Sequence, residues 1–161
     1  MDCLQKLFSL ETLPAWRAAR RQERKVVVVT NGCFDIIHAG HVSYLEAARR
    51  QGDVLLVGLN SDASARRLKG PGRPINSEQD RALVLAALES VSAVCIFNDL
   101  RASRFLELAQ PDLYVKGGDF TIEQLPAEER RVVEAVGARV LIMPHVPGRS
   151  TTELLRSIRS R

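Results

Sequence analysis

The sequence predicts a single α/β domain: a doubly wound, five-stranded parallel sheet with helices on both faces. Three observations predict it. Five short apolar runs recur without the in–out alternation of a half-solvated strand, as expected of strands covered on both sides. Segments with apolar residues at helical spacing separate or follow these runs, so connections between parallel strands are available. The chain has 161 residues, 45% hydrophobic and 26% charged, which is enough for one core and no more than an ordinary globular composition.

Taken in order, residues 1–24 read as a helical N-terminal extension that packs on the domain formed by 25–161. Its Leu7, Phe8, Leu13 and Trp16 could cover that core or meet a second copy. "KVVVVT" (25–30) is a β-branched run and the first strand. A helix follows from about His41 to Arg50, then a second strand, "DVLLVGLN" (53–60). "RRLKGPGRPIN" (66–76) reads as a Gly-, Pro- and Arg-rich loop. "SEQDRALVLAALES" (77–90) reads as a helix, with Ser77 as N-cap and Asp80 in the first turn. "AVCIF" (93–97), "DLYVKG" (112–117) and "ARVLIM" (138–143) supply the last three strands, with helices near 102–109, 127–136 and 151–159. No internal repeat, low-complexity tract or linker interrupts the pattern.

Composition excludes several function classes. No apolar run reaches the roughly 18 residues of a membrane span, and the N-terminus lacks the layout of a signal peptide, so a cytoplasmic location is expected. Cys3, Cys33 and Cys95 are odd in number and widely spaced, which argues for a reducing compartment and against a disulfide framework or a zinc site. A net charge of +4 with basic clusters suits a solvated surface or anionic small molecules. Aromatics at 5%, not interleaved with those clusters, argue against nucleic acid as a partner.

Two of the three histidines, His38 and His41, flank Ala39-Gly40 where the first strand gives way to a helix. In a doubly wound sheet, ligands sit outside the carboxyl ends of the strands. "TNGCFD" (30–35) lies at that edge, and Gly32 permits a tight turn whose amides can approach an anion. The helix start adds unpaired N–H groups and partial positive charge. Two imidazoles aimed there suit charge developing on a phosphorus centre. Packing histidines, or a zinc pair completed by His145 or a carboxylate, are the alternatives. Other strand ends offer Asp62, then Lys69 and Arg73 on the loop, and Lys116, Gly117 and Asp119 in "VKGGD". Ser150 and Thr151 open the last helix, where they could cap it or hold phosphate oxygens.

"GCFDIIHAGH" resembles the HxGH motif of the cytidylyltransferase-type nucleotidyltransferase superfamily, and "STT" (150–152) resembles its second phosphate motif. The resemblance covers roughly Lys25 to Ile158 and implies a Rossmann-like fold. "VGLNSDASARRLKGPGRPIN", "QDRALVLAALESV", "PDLYVKGGDF" and "STTELLRSI" are most similar to the heptose 1-phosphate adenylyltransferase branch. Glycerol-phosphate cytidylyltransferases usually carry an arginine ahead of STT and a Gly-Asp-Asp; here stand "PHVPGRSTT", with His145 and Arg149, and "GGD".

The resemblance implies transfer of AMP from ATP to D-glycero-D-manno-heptose 1-phosphate, with Mg2+ accompanying ATP. His38, His41 and Lys69 would be catalytic. Asn31, Gly32, Cys33, Phe34, His41, Lys116, Gly117, Asp119, Ser150, Thr151 and Thr152 would bind the nucleotide. Asp35, Asp62, Lys69 and Arg73 would face the sugar phosphate, and no protein metal site is implied. Cys33 would act as a small side chain and not as a nucleophile. Heptose enzymes that carry a fused sugar kinase exist; none is visible here, so that step would belong to another protein. Relatives commonly form dimers, so a homodimer is expected. Cytidylyl or guanylyl transfer to another phosphorylated sugar or alcohol, and a non-catalytic nucleotide-binding module, are the rival readings.

Overall fold

A computed structural model describes residues 2–118, 121–144 and 151–160, with the backbone alone at 152–154 and 159. The elements in chain order are β1 (Leu7–Phe8), α1 (Leu13–Gln22), β2 (Val27–Gly32), α2 (Ala39–Arg49), β3 (Val54–Asn60), α3 (Asp62–Lys69) and α4 (Glu78–Ala87). Then come β4 (Ala93–Phe97), α5 (Ser103–Ala109), β5 (Leu113–Gly117), α6 (Ala127–Ala135), β6 (Arg139–Met143) and α7 (Thr151–Arg159). All strand pairs are parallel, in the order β1-β4-β3-β2-β5-β6. The chain therefore winds outward from β2 in one direction through β3 and β4, then returns to its other side at β5. The strand order reverses between β2 and β5.

Successive residues of each strand serve opposite faces, and both faces are apolar. Val27, Val29, Leu56, Cys95 and Tyr114 pack with α1, α5 and α6 through Leu13, Trp16, Phe105, Leu106 and Val133. Val28, Leu55, Val57, Leu59 and Val115 pack with α2 and α4 through Leu45, Ala48, Ala82, Leu85 and Ala86. This two-sided burial explains why the runs lack period-2 alternation. Helices cover both faces as expected.

The sheet has six strands, not five. β1 is two residues long and pairs with the edge of β4 through Leu7↔Val94 and Phe8↔Cys95. A strand this short leaves no periodicity to read, so the N-terminal 24 residues looked wholly helical. In fact a 3-10 turn (Cys3–Lys6) and this strand precede α1. Leu13 and Trp16 are buried in the domain's own core. At the amino end of the sheet, Arg17 donates to the Gln110 carbonyl at 2.9 Å and to Asp112 Oδ1 at 3.0 Å. Asp112 Oδ2 in turn accepts from the Val27 amide at 2.7 Å, which ties α1 to the starts of β2 and β5.

A second correction concerns residues 62–69, which are helical up to Lys69 where a loop was expected from Arg66. Ser61 caps this helix by accepting from the Ser64 amide at 3.1 Å. Asp62 lies in the first turn and Arg66, Arg67 and Lys69 in the last, the charge order a helix dipole favours. Gly70, at φ 91°, ends it. Ser77 caps α4 as expected, accepting from the Asp80 amide at 3.2 Å. Among the described residues no helix is long and apolar enough to cross a membrane.

Candidate active site

The crevice at the strand-order reversal is built from the ends of β2 and β5 and the start of α2. His38 is the N-cap of α2, in extended conformation at φ −141°, ψ 171°. Its carbonyl accepts from the His41 amide at 2.9 Å and the Val42 amide at 3.2 Å, so the histidine spacing is one helical turn beginning at the cap. The two imidazoles stack, with centroids 3.9 Å apart and planes at 29°. Phe34 packs against His41 at 5.3 Å. Both rings are half-buried and stand at the positive end of an 11-residue helix. Phe34 holds the left-handed backbone of the turn, at φ 43°. Gly32, expected to make that turn, ends β2 instead. A Cβ there would come within 3.0 Å of the Phe34 ring, so close approach and not positive φ selects glycine.

Tyr44 locks the floor of the crevice. Its hydroxyl lies 2.7 Å from Thr30 Oγ1 and donates to the Val115 carbonyl at 3.1 Å, tying α2 to β2 and β5. Burial pushes its phenol up to about 12. Its ring leaves no room for a Cβ at Gly117, which would meet Tyr44 Cε2 at 2.9 Å. Lys116 precedes this glycine and donates to Asn31 Oδ1 at 2.9 Å. Thr151, at the start of α7, brings its Oγ1 within 3.5 Å of the Ile36 carbonyl, so the start of α7 adjoins the HxGH turn. Thr152 contributes backbone only to this description. Asp119, Ser150, His145 and Arg149 lie outside the described residues.

The expected substrate residues are differently engaged. Arg73 Nε donates to Asp35 Oδ2 at 2.7 Å, so two residues assigned to the sugar phosphate pair with each other. Asp35 Oδ1 also accepts from the amides of Ile75 and Asn76, at 2.8 and 3.0 Å. This buried carboxylate thus pins the 70–76 loop to the HxGH turn. Asp62 pairs with Arg81 at 2.8 Å. Lys69 is exposed at the end of α3, close enough to Cys33 for its charge to act on the thiol. Burial nonetheless pushes the Cys33 thiol up, against the pull of Lys69, Arg81 and Arg73, which suits a packing side chain.

Arg81 is the residue sequence reasoning missed most clearly. It is 1% exposed, on α4. Nε donates to the Asn76 carbonyl at 3.0 Å; Nη1 donates to the carbonyls of Cys33 at 2.6 Å and Asn60 at 2.9 Å. Nη2 donates to Asp62 at 2.8 Å. One planar fork therefore holds the HxGH turn, the end of β3 and the 70–76 loop in register. No signal in "SEQDRALVLAALES" distinguishes it from a solvated helical arginine. Glu129 and Tyr114, buried beside Lys116, were also missed.

Chemically, the crevice offers two stacked imidazoles, a helix start, a half-buried ammonium and a glycine-lined strand end, a set suited to binding and stabilising phosphate charge. Among the described residues no group of three or more His, Cys, Asp and Glu could hold a metal ion.

Comparison with known proteins agrees with this geometry. The cytidylyltransferase-like family model matches residues 29–157. The "Bifunctional protein HldE" of Syntrophotalea carbinolica is 50% identical over 156 residues, covering 97% of this chain and 31% of that protein. That of Mesorhizobium japonicum is 52% identical over 143 residues, covering 89% and 28%. The chain thus spans about a third of the length of the curated relatives it matches. Among solved structures, the lipopolysaccharide core biosynthesis protein from Thermoplasma volcanium superposes with a TM-score of 0.63 at 26% identity, covering 76% of this chain and 97% of that one. The pantoate-β-alanine ligase of Francisella tularensis, at TM-score 0.60 and 13% identity over 95% of this chain and 76% of its own, shares the fold. With the HxGH pair at the start of α2 and the family model spanning β2 to α7, the chain is a nucleotidyltransferase and belongs to the cytidylyltransferase-like family.

Proposed function

We propose that this domain transfers AMP from ATP to D-glycero-D-manno-heptose 1-phosphate, giving ADP-heptose and pyrophosphate. The observation that carries the transfer chemistry is the stacked His38–His41 pair at the start of α2, where the strand order reverses. The heptose assignment is supported by the "VKGGD" and "STTELL" runs and by relatives named HldE at 45–52% identity. A sugar 1-phosphate oxygen attacks the α-phosphorus in line; the bond to the bridging oxygen breaks and pyrophosphate leaves. His38 and His41 stabilise the charge gathering on the α- and β-phosphates, by positioning and electrostatics without a covalent intermediate. Lys69 reaches phosphate from the end of α3. Asn31 to Phe34, Lys116, Gly117 and Asp119 line the nucleotide, and Ser150 to Thr152 hold the outer phosphates.

Arg73 gives its Nε to Asp35 and keeps its two Nη groups for the sugar phosphate, while Asp35 and Asp62 act by holding the loops that carry the site. Mg2+ would enter with ATP, ligated by phosphate oxygens and water. A homodimer is part of the same reading; sedimentation equilibrium giving the mass of one chain would remove it.

Pyrophosphate release tests the reaction, with ATP, CTP and GTP each offered against both anomers of the heptose 1-phosphate and against glycerol 3-phosphate. Release with ATP and one heptose anomer is expected. Release with another pair alone would replace the substrate, and silence from folded, nucleotide-binding protein would point to a binding module.

A further inference from the structure

At the ends of β2 and β5 lies a polar cluster in which two members, Glu129 and Tyr114, have no part in the transfer chemistry proposed above. Glu129, on α6, has a side chain only 5% exposed. Its Oε1 accepts from the Ala102 amide at 3.0 Å. Its Oε2 lies 3.1 Å from the Tyr114 hydroxyl and 3.9 Å from Lys116 Nζ. Asn31 Oδ1 faces the same two groups from the end of β2, 2.6 Å from the Tyr114 hydroxyl and 2.9 Å from Nζ. Tyr114 has one proton to give, to Glu129 or to Asn31.

A carboxylate so withdrawn from water is costly unless a cation compensates it. Lys116 is that cation, and its side chain keeps 20% exposure at the end of β5, beside Asn31 at the end of β2. Among the described residues, the other charged or titratable groups acting on it are Arg101, from the segment before α5, and Cys33, from the HxGH turn. Burial pulls the Lys116 ammonium down and Glu129 opposes that pull; Arg101 adds to the fall. Tyr114 is pushed well up by burial and by Glu129, so it remains a neutral donor.

We propose that Glu129 is a positioning residue for nucleotide binding: through its ion pair with Lys116 and the Tyr114–Asn31 bridge, it keeps that ammonium charged and aimed at the nucleotide phosphates. Sequence spacing hides this role, because Glu129 sits in the acidic first turn of α6, where a glutamate ordinarily serves the helix dipole. The proposal rests on the nucleotidyl-transfer reading for the identity of the ligand.

The chain has four lysines, so protein labelled with 13C at lysine Cε gives four resonances, with Lys116 assigned by its loss in Lys116→Met. Glu129→Gln keeps shape and removes charge. It should move the Lys116 titration midpoint to lower pH and weaken binding of a non-hydrolysable ATP analogue about tenfold at pH 8. The double variant should bind no worse than Lys116→Met alone, since Glu129 acts through Lys116. An unmoved midpoint in folded Glu129→Gln, unchanged affinity, or additive losses in the double variant would each overturn the proposal. If Glu129→Gln does not fold, Glu129→Asp, which withdraws the charge by one methylene, must still lower the midpoint. The titration uses no substrate, so a shifted midpoint in a protein without transferase activity would remove the function and leave the coupling standing.

Discussion

Replacing Arg81 by methionine probes the internal bracing of the site. Methionine keeps an apolar stem of similar reach and removes a fork that makes four hydrogen bonds. The Asp62 side chain is 35% exposed and can rehydrate, so its share of the loss is small. The Asn60 carbonyl is buried, and with those of Cys33 and Asn76 it loses a charged donor; a buried acceptor left unsatisfied costs about 1–3 kcal/mol. The sum is about 3–5 kcal/mol, comparable with breaking a buried pair. For a domain of this length that is roughly 6–20 °C in Tm. Calorimetry on Arg81→Met and Arg81→Lys measures it. Lysine restores the charge to Asp62 but cannot span three carbonyls, so it should fall between wild type and methionine. A Tm for Arg81→Met within about 2 °C of wild type would mean that these bonds exchange freely with water and that the bracing argument is wrong.

His38→Ala and His41→Ala should each lower turnover about 100-fold or more with Tm little changed, and full activity in both would sink the electrostatic role of the pair. Tyr44 makes an alkaline prediction. Its folded-state value near 12 exceeds the ordinary 10, so its contribution is complete below pH 10 and is lost as pH rises through about 12. Tyr44→Phe should therefore flatten the fall in stability between pH 10 and 12 by roughly 2–3 kcal/mol, and an unchanged slope in chemical denaturation would contradict it. Gly117→Ala drives a Cβ into a Tyr44 ring anchored at its hydroxyl, so it should cost about 1–3 kcal/mol and raise the KM for nucleotide. Wild-type values for both would mean that the ring moves freely.

Much of the architecture was legible because burial on both faces leaves its mark on composition. "KVVVV" and "VLLVGL" carry that mark and form the interior strands β2 and β3, and the HxGH turn follows the first of them directly. Ser77 announced its helix because capping is a local interaction. β1 escaped because two residues at a sheet edge have no period of their own, and their pairing is with residues more than 80 positions away. α3 escaped because its evidence is charge order and a cap, set against the glycines and prolines just beyond it.

The local and repetitive part was therefore open to reading from the residues: strand runs, helix caps, and an HxGH turn at a strand-to-helix junction. The partners of the charged side chains came from long-range packing. Asp35 and Arg73 looked like two substrate contacts and face each other. Arg81 and Glu129 looked like solvated charges on helices and are buried, one bracing three segments and the other holding Lys116. The physical reason is that a charged side chain carries the same letter in water and in a core. Whether it is desolvated, and what compensates it, depends on residues brought together from distant parts of the chain.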